Sequence, residues 1–178
     1  GLGDVYKRQI TDSDSGVSAS RSFLIAVQPL TQQEIDAELA LMAAVRAHYF
    51  DGIRNANTDA KNILTDLHPF REAYLDADGQ LVWVYDHADL TGSGIVPVAM
   101  DGWTESEQWR LFRSTDPDVI SHENLLVTRA AGDKTVTVSS ELSSETLGKY
   151  AARYPDNKDF QALSCQPVSV ELTVPGTE

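Results

Sequence analysis

Cysteine is nearly absent: Cys165 is the only one among 178 residues. A lone thiol excludes an internal disulfide framework and any zinc site built from several cysteines. Basic side chains are also scarce, with 14 Lys and Arg against 27 Asp and Glu, and they form no run. The formal net charge of −13 lacks the electrostatic footprint of a DNA or RNA binder and opposes anionic membrane surfaces, so neither nucleic acid nor membrane insertion is expected. No stretch approaches the roughly 18 consecutive apolar residues of a membrane-spanning helix, and the N-terminus has no long apolar stretch of the secretory kind. Motifs of chemistry are missing too: no Gly-x-Ser-x-Gly elbow, no phosphate-cradling loop, no His-Glu-x-x-His and no paired-glycine dinucleotide fingerprint. Thr91-Gly-Ser-Gly94 matches none of them and reads as a loop, and no repeat of fixed period is present. What is there is a chain with 42% apolar residues, enough for a packed core in one domain or one domain with fragments of another.

Both ends read as cut, so the sequence is expected to be a piece of a longer protein. Residues 1–9 share no periodicity with the rest of the chain and read as a non-native or read-through segment, set aside from fold reasoning. Residues 175–178 read as the start of a linker. Between these, Ser18 to Val27 alternates as a strand with Phe23, Ile25 and Val27 on one face. Leu30-Thr31-Gln-Gln-Glu34-Ile35 combines a capping box on Thr31 and Glu34 with a hydrophobic staple of Leu30 on Ile35. The helix it opens continues through Leu39, Met42, Val45 and Tyr49, with Gly52 as its stop. A second helix is predicted over Thr58 to Leu67, with Ile63, Leu64 and Leu67 as its apolar face, ended by His68-Pro69 because proline disfavours helical geometry in the residue before it.

Beyond Pro69 the pattern turns to β. Ala73 to Leu75 and Leu81 to Tyr85 flank Asp76-Ala-Asp-Gly79 as a hairpin, with Leu81, Trp83 and Tyr85 on one face. Further strands are predicted over Trp109 to Arg113, Leu125 to Arg129, Lys134 to Ser140 and Val168 to Val174. In the third of these Val136 and Val138 point inward and Thr135, Thr137 and Ser139 outward. A helix closed by Pro155 carries Leu147, Tyr150, Ala151 and Tyr154, and Asp156 caps a further turn bearing Phe160 and Leu163.

Five groups of residues invite a chemical reading. His87-Ala88-Asp89 with His122 has the composition of a two-histidine, one-carboxylate iron site, although loop histidines are the simpler reading. Asp76-Ala-Asp78-Gly79 begins like a calcium loop but lacks the rest of that spacing, and a hairpin turn explains it by backbone geometry alone. Asp116-Pro-Asp118 with Glu123 is a second acidic loop open to calcium. Cys165 would need a histidine held beside it to act as a nucleophile and otherwise reads as a small filler. Trp83, Tyr85, Trp103, Trp109 and Phe112 fit either a sugar-stacking platform or, more simply, the core, with Trp103 the one expected to be exposed.

Leu111-Phe-Arg-Ser-Thr-Asp-Pro-Asp-Val-Ile120, Leu126-Val-Thr-Arg129 and Gly132-Asp-Lys-Thr-Val-Thr-Val138 together resemble the atrophied bacterial immunoglobulin-like domain of secreted and cell-wall proteins. Phe112 stands where that family usually has tryptophan, and Asn124-Leu125 replaces its common turn glycine. The helical segment from Thr31, the insertion around Tyr150 to Asn157 and the closing Val168 to Val174 fit the same pattern. Residues 30–174 would then be one such domain, and residues 10–29 the last strand or strands of a preceding immunoglobulin-like module. The resemblance implies a mainly β fold with α insertions: an immunoglobulin-like β-sandwich with an N-terminal helical segment and a short helical insertion before the last strand. It further implies a non-catalytic spacer or stalk module of a bacterial surface or secreted protein, located outside the cell or in its wall. Its implied partners are neighbouring domains of the same chain and a cell-surface glycan or protein. No catalytic, cofactor-binding or metal residues come with it. Some modules of this type are locked by a Lys–Asn isopeptide bond, which the closing strand, having neither Asn nor Asp, does not favour. The alternative function is a glycan- or calcium-binding accessory module of an adhesin or carbohydrate-active enzyme, and a third reading is the iron-dependent oxygenase of His87, Asp89 and His122.

Overall fold

The computed structural model describes residues 4–11, 18–25, 31–100, 110–156 and 158–177. The chain divides into two compact units, Gly1–Thr31 and Gln32–Glu178. The first is a hairpin of β1 (Asp4–Thr11) and β2 (Ser18–Ile25), paired antiparallel from Asp4 with Ile25 to Thr11 with Ser18. β1 thus takes in residues 4–9 of the segment set aside in the sequence reading. Val27 and Leu30 lie outside the described residues.

The second unit opens with α1 (Gln32–Ala47), followed after His48 by the short α2 (Tyr49–Ile53). Ile35, Leu41, Met42 and Val45 are the buried side of α1, and Tyr49 and Ile53 extend it through α2. Gly52 does not stop the helix as expected. It lies within α2, where a Cβ would come within 2.4 Å of the Trp83 ring, so its role is to let an indole close onto the helix backbone.

Six strands come next: β3 (Glu72–Leu75), β4 (Leu81–Val84), β5 (Ile95–Val98), β6 (Arg113–Ser114), β7 (Lys134–Ser144) and β8 (Cys165–Val174). All their pairings are antiparallel. β4, β3, β5 and β7 are successive neighbours; β7 pairs along its length with β8 on one edge and with β5 and then β6 on the other. Helices α3 (Glu145–Ala152) and α4 (Lys158–Ser164) form the insertion between β7 and β8. No helix among the described residues is long and apolar enough to cross a membrane.

The core lies between the two helices and one face of the sheet, joining Met42, Val45, Tyr49 and Ile53 to Ala73, Ile95, Val136, Val138, Leu142 and Leu172. The fold is therefore a mixed one, helices on an antiparallel sheet curled as a half-barrel. Within Gln32–Glu178 the described strands form this one sheet, and α1 and α2 supply the apolar surface that covers it.

Several local expectations need correction. The helix predicted over Thr58 to Leu67 does not form. Ile63 and Leu67 are buried as its apolar face required, yet Leu64 is exposed, because this segment runs as an irregular strap along β8. Ile63 N–H donates to Thr173 O at 2.9 Å and Thr173 N–H to Ala60 O at 2.8 Å. Buried Asn57 completes the strap, its Oδ1 accepting from the amides of Leu64 and Thr65 and its Nδ2 donating to the carbonyls of Arg54 and Thr65. These bonds give the backbone what a helix would otherwise supply. The strand predicted over Leu125 to Arg129 reduces to a single bridge between Ile120 and Val127, and that over Trp109 to Arg113 to the two residues of β6, residues 101–109 lying outside the described set. β5, with Pro97 inside it, was not foreseen; β7 is longer than predicted.

Residues 175–177, read as a linker start, are fastened to the turn before β7. Arg129 donates to Pro175 O at 2.9 Å and Gly176 O at 2.8 Å, Gly176 N–H to Asp133 Oδ1 at 2.9 Å, and Thr177 N–H to Ala130 O at 2.9 Å.

The Gly52–Trp83 contact gives a direct check on the packing. Gly52→Ala should cost about 1–3 kcal/mol through overpacking, read as a lower urea midpoint. In the Trp83→Leu background the same change should cost clearly less; equal costs in both backgrounds would show that the indole does not rest on Gly52.

Candidate functional site

One dense polar arrangement in the larger unit centres on a carboxylate that no sequence motif marks. β3 places Glu72 opposite Val84 and next to Ala73, whose side chain belongs to the core. Neighbouring side chains on a strand point to opposite faces, so Glu72 is on the face away from the core, and yet its exposure is 0%. Thr91-Gly-Ser-Gly94 covers it. Thr91 N–H donates to Oε2 at 2.6 Å, while the Thr91 hydroxyl, Ser93 N–H and Gly94 N–H donate to Oε1 at 2.6, 3.1 and 2.7 Å.

The loop composition answers to this geometry. Gly92 has φ +72°, and a Cβ on Gly94 would come within 2.4 Å of Ala73 O and 2.8 Å of Glu72 Cγ. Both glycines are needed, one for its left-handed conformation and one for close approach. Burial pushes the Glu72 pKa up, but the bonds from Thr91 and from the loop amides outweigh it and hold the carboxyl below its ordinary range. Both oxygens are occupied, so the group clamps a loop and is not placed to act as a base or a metal ligand.

Three other polar side chains, Asp76, Asp86 and His122, are also spent on the backbone. Asp76 Oδ1 accepts from the amides of Asp78 at 2.9 Å and Gln80 at 2.8 Å, and Gly79 has φ +75°, which is a capped hairpin turn. Asp86 caps the single 3₁₀ turn of His87–Asp89 through Ala88 N–H. His122 does not turn toward that pair: its Nδ1 accepts from Ser114 N–H at 3.0 Å. Glu123 pairs with Arg110 at 3.2 Å, and Asp116 supplies the carbonyl of a turn to Val119 and Ile120. Among the described residues no three of His, Cys, Asp and Glu gather as a metal ion would require. The Cys165 thiol donates to Glu141 Oε2 at 3.0 Å.

The aromatic residues divide. Phe70, Trp83 and Phe112 form an edge-to-face cluster, with Phe70 at 4.8 Å from Trp83 and 6.0 Å from Phe112 between ring centroids. Phe112 is buried, and Trp83 and Tyr85 pack half-buried against the core. Three members of the suggested sugar platform are thus core rings, while Trp103 and Trp109 lie outside the described residues. A dent of about 280 Å³ lies over Phe70 and Phe112, but those rings are 0% and 2% exposed and offer a ligand no stacking face.

Nothing in the strand at 72–75 taken alone marks Glu72 as buried. The signal that could have found it is the pairing of an acidic strand residue with a Thr-Gly-Ser-Gly loop rich in amide donors. Comparison with protein-family models, with curated proteins and with solved structures finds no match for this chain.

The clamp has a pH signature. A folded pKa below the unfolded one means that, between the two, the unfolded chain binds the extra proton. The stability contributed by Glu72 is complete above the unfolded value, near about 4.3, and is lost as pH falls through the folded value. Glu72→Gln should lower stability at neutral pH by about 1–3 kcal/mol and flatten the acid limb of the stability profile, measured by urea unfolding. An unchanged acid limb would mean that the carboxylate is not bound by the loop.

Proposed function

We propose that this chain is a non-catalytic immunoglobulin-like structural module, a spacer within a larger bacterial cell-surface or secreted protein. The observation that carries this reading is the use made of the chemically capable side chains: Glu72, Asn57, Asp76, Asp86 and His122 each hold backbone groups in place. What these residues build is rigidity, the property a spacer needs.

The immunoglobulin-like part rests on the pattern at 111–138 and 168–174. It is supported by the antiparallel pairing of the Thr-Val-Thr-Val strand with the closing strand. Leu125 supports it as well: standing where the family carries a turn glycine, it holds the glycine conformation at φ 54° while its side chain is fully buried. A location outside the cell comes from the resemblance alone.

Thermal unfolding of the full chain with calcium, with iron(II) and with a chelator tests the proposal. The midpoint should be the same in all three. A site saturated at about 100 times its Kd adds about 2.7 kcal/mol, a shift of about 5–10 °C for a chain of this size. Such a shift with calcium would replace the spacer by a binding module, and one with iron would restore the oxygenase reading.

A further inference from the structure

In a chain this acidic, an arginine placed between two imidazoles is informative. His68, Arg71, Tyr85, Asp86 and His87 line one open cleft of about 310 Å³. Its framework is fixed by the backbone: His68 N–H donates to Ile53 O at 2.9 Å and Arg71 N–H to Val84 O at 2.8 Å. Asp86 caps the turn that carries His87 by accepting from Ala88 N–H at 3.0 Å. The His68 imidazole stacks on the Tyr85 ring with centroids 4.4 Å apart and planes at 21°, and the Tyr85 hydroxyl donates to Gly52 O at 3.0 Å.

Most basic groups of the larger unit are already engaged. Arg54, Lys61, Arg110 and Lys149 pair with carboxylates, and Arg46 and Arg129 with carbonyls. Arg71 is exposed and has no side-chain partner among the described residues. We infer that the cleft of His68, Arg71 and His87 is a binding site for a small oxyanion: the carboxylate, sulfate or phosphate group of an anionic ligand.

Electrostatics sets the conditions. Arg71 and Asp86 cancel when both imidazoles are neutral, and each imidazole that takes a proton adds a positive charge. Among the described residues, the other charged and titratable groups around the cleft are Asp89 of the same turn; Glu123, which lines a dent together with Arg71 and pairs with Arg110; and, from α2 and its flanks, Arg54, which acts on Tyr85, with its partner Asp51 and His48 beside that. Arg54 and Asp51 balance one another, as do Arg110 and Glu123, so Asp89 leaves these surroundings one negative charge in excess while the imidazoles are neutral, and the cleft turns positive only as they take up protons. More distant acidic residues are screened beyond about 8 Å at physiological ionic strength, so the local groups decide. Binding therefore strengthens as the imidazoles take up protons.

The test is an NMR titration of the full chain with sodium sulfate at about pH 5.5 and about pH 8, with ionic strength held by chloride and with phosphate, acetate and glucuronate in parallel. Saturable shifts of the His68 and His87 ring signals and the Arg71 side-chain N–H are expected at the lower pH. At least one of the four anions should give them, and whether sulfate and phosphate or the two carboxylates bind more tightly names the oxyanion. Arg71→Ala should weaken binding about fivefold or more, the effect of removing a unit charge at about 4 Å in water, and raising the pH should weaken it by a similar factor. Asp86→Asn, which keeps the capping oxygen, should tighten it. The remaining amide signals report whether each variant stays folded. Shifts linear in concentration for every anion, or saturable shifts unchanged by Arg71→Ala and Asp86→Asn, would overturn the site.

Discussion

β7 hydrogen-bonds to β8 along one edge and to β5 and β6 along the other, so three of the other five strands of its sheet take their register from it. Its even-numbered residues from Val136 to Ser144 are all buried. Two of these inward positions are serines, and each binds helices to the sheet. Ser140 Oγ meets the Tyr49 hydroxyl at 2.7 Å, and burial raises the pKa of that phenol well above its ordinary value despite the bond. Ser144 Oγ donates to Glu38 of α1 and accepts from Leu147 N–H at the start of α3. A slip of one residue would turn Val136, Val138 and Leu142 outward and break both serine contacts, so apolar burial and polar pairing specify the same register.

The irregular parts obey another rule. Residues 54–71 and 86–94 contain no strand or α-helix, and backbone groups shielded from water there must find partners or cost free energy. Asn57 and Glu72 provide them, each buried and each gathering donors from a segment next to it in space. A buried amide or carboxylate is costly when unsatisfied and strongly orienting when satisfied. This is why two polar side chains are found at depths that apolar residues usually occupy.

Sequence was most legible where one local pattern met one packing role. α1, the hairpin turn at Asp76, the inward valines of β7 and the alternation of β8 all come from periodicity or turn chemistry, and tertiary contacts agree with them. It was least legible where distant residues decide. The apolar spacing of Ile63 and Leu67 suits a helix, but Thr173, more than 100 positions away, takes the amide of Ile63 and makes it a strap. Gly52 has the look of a helix stop, yet the constraint on it is the Trp83 ring. The His68 and Arg71 side of the cleft was invisible for the same reason, because these residues meet Asp86 and His87 only after β3 and β4 have paired.

Among the described residues β8 has a strand partner on one edge only, and an open edge is a template for pairing with another chain. Here it is blocked at several points. Pro167 has no N–H to offer, and its carbonyl is taken by Arg46 Nε at 3.1 Å. Thr173 is paired with Ala60 and Ile63, and the chain beyond Val174 is held by Arg129 and Asp133. Between these points stand Ser169 and Glu171, the latter carrying its charge to Lys61 at 2.7 Å. An edge interrupted by proline, charge and a covering strap disfavours strand exchange between neighbouring molecules.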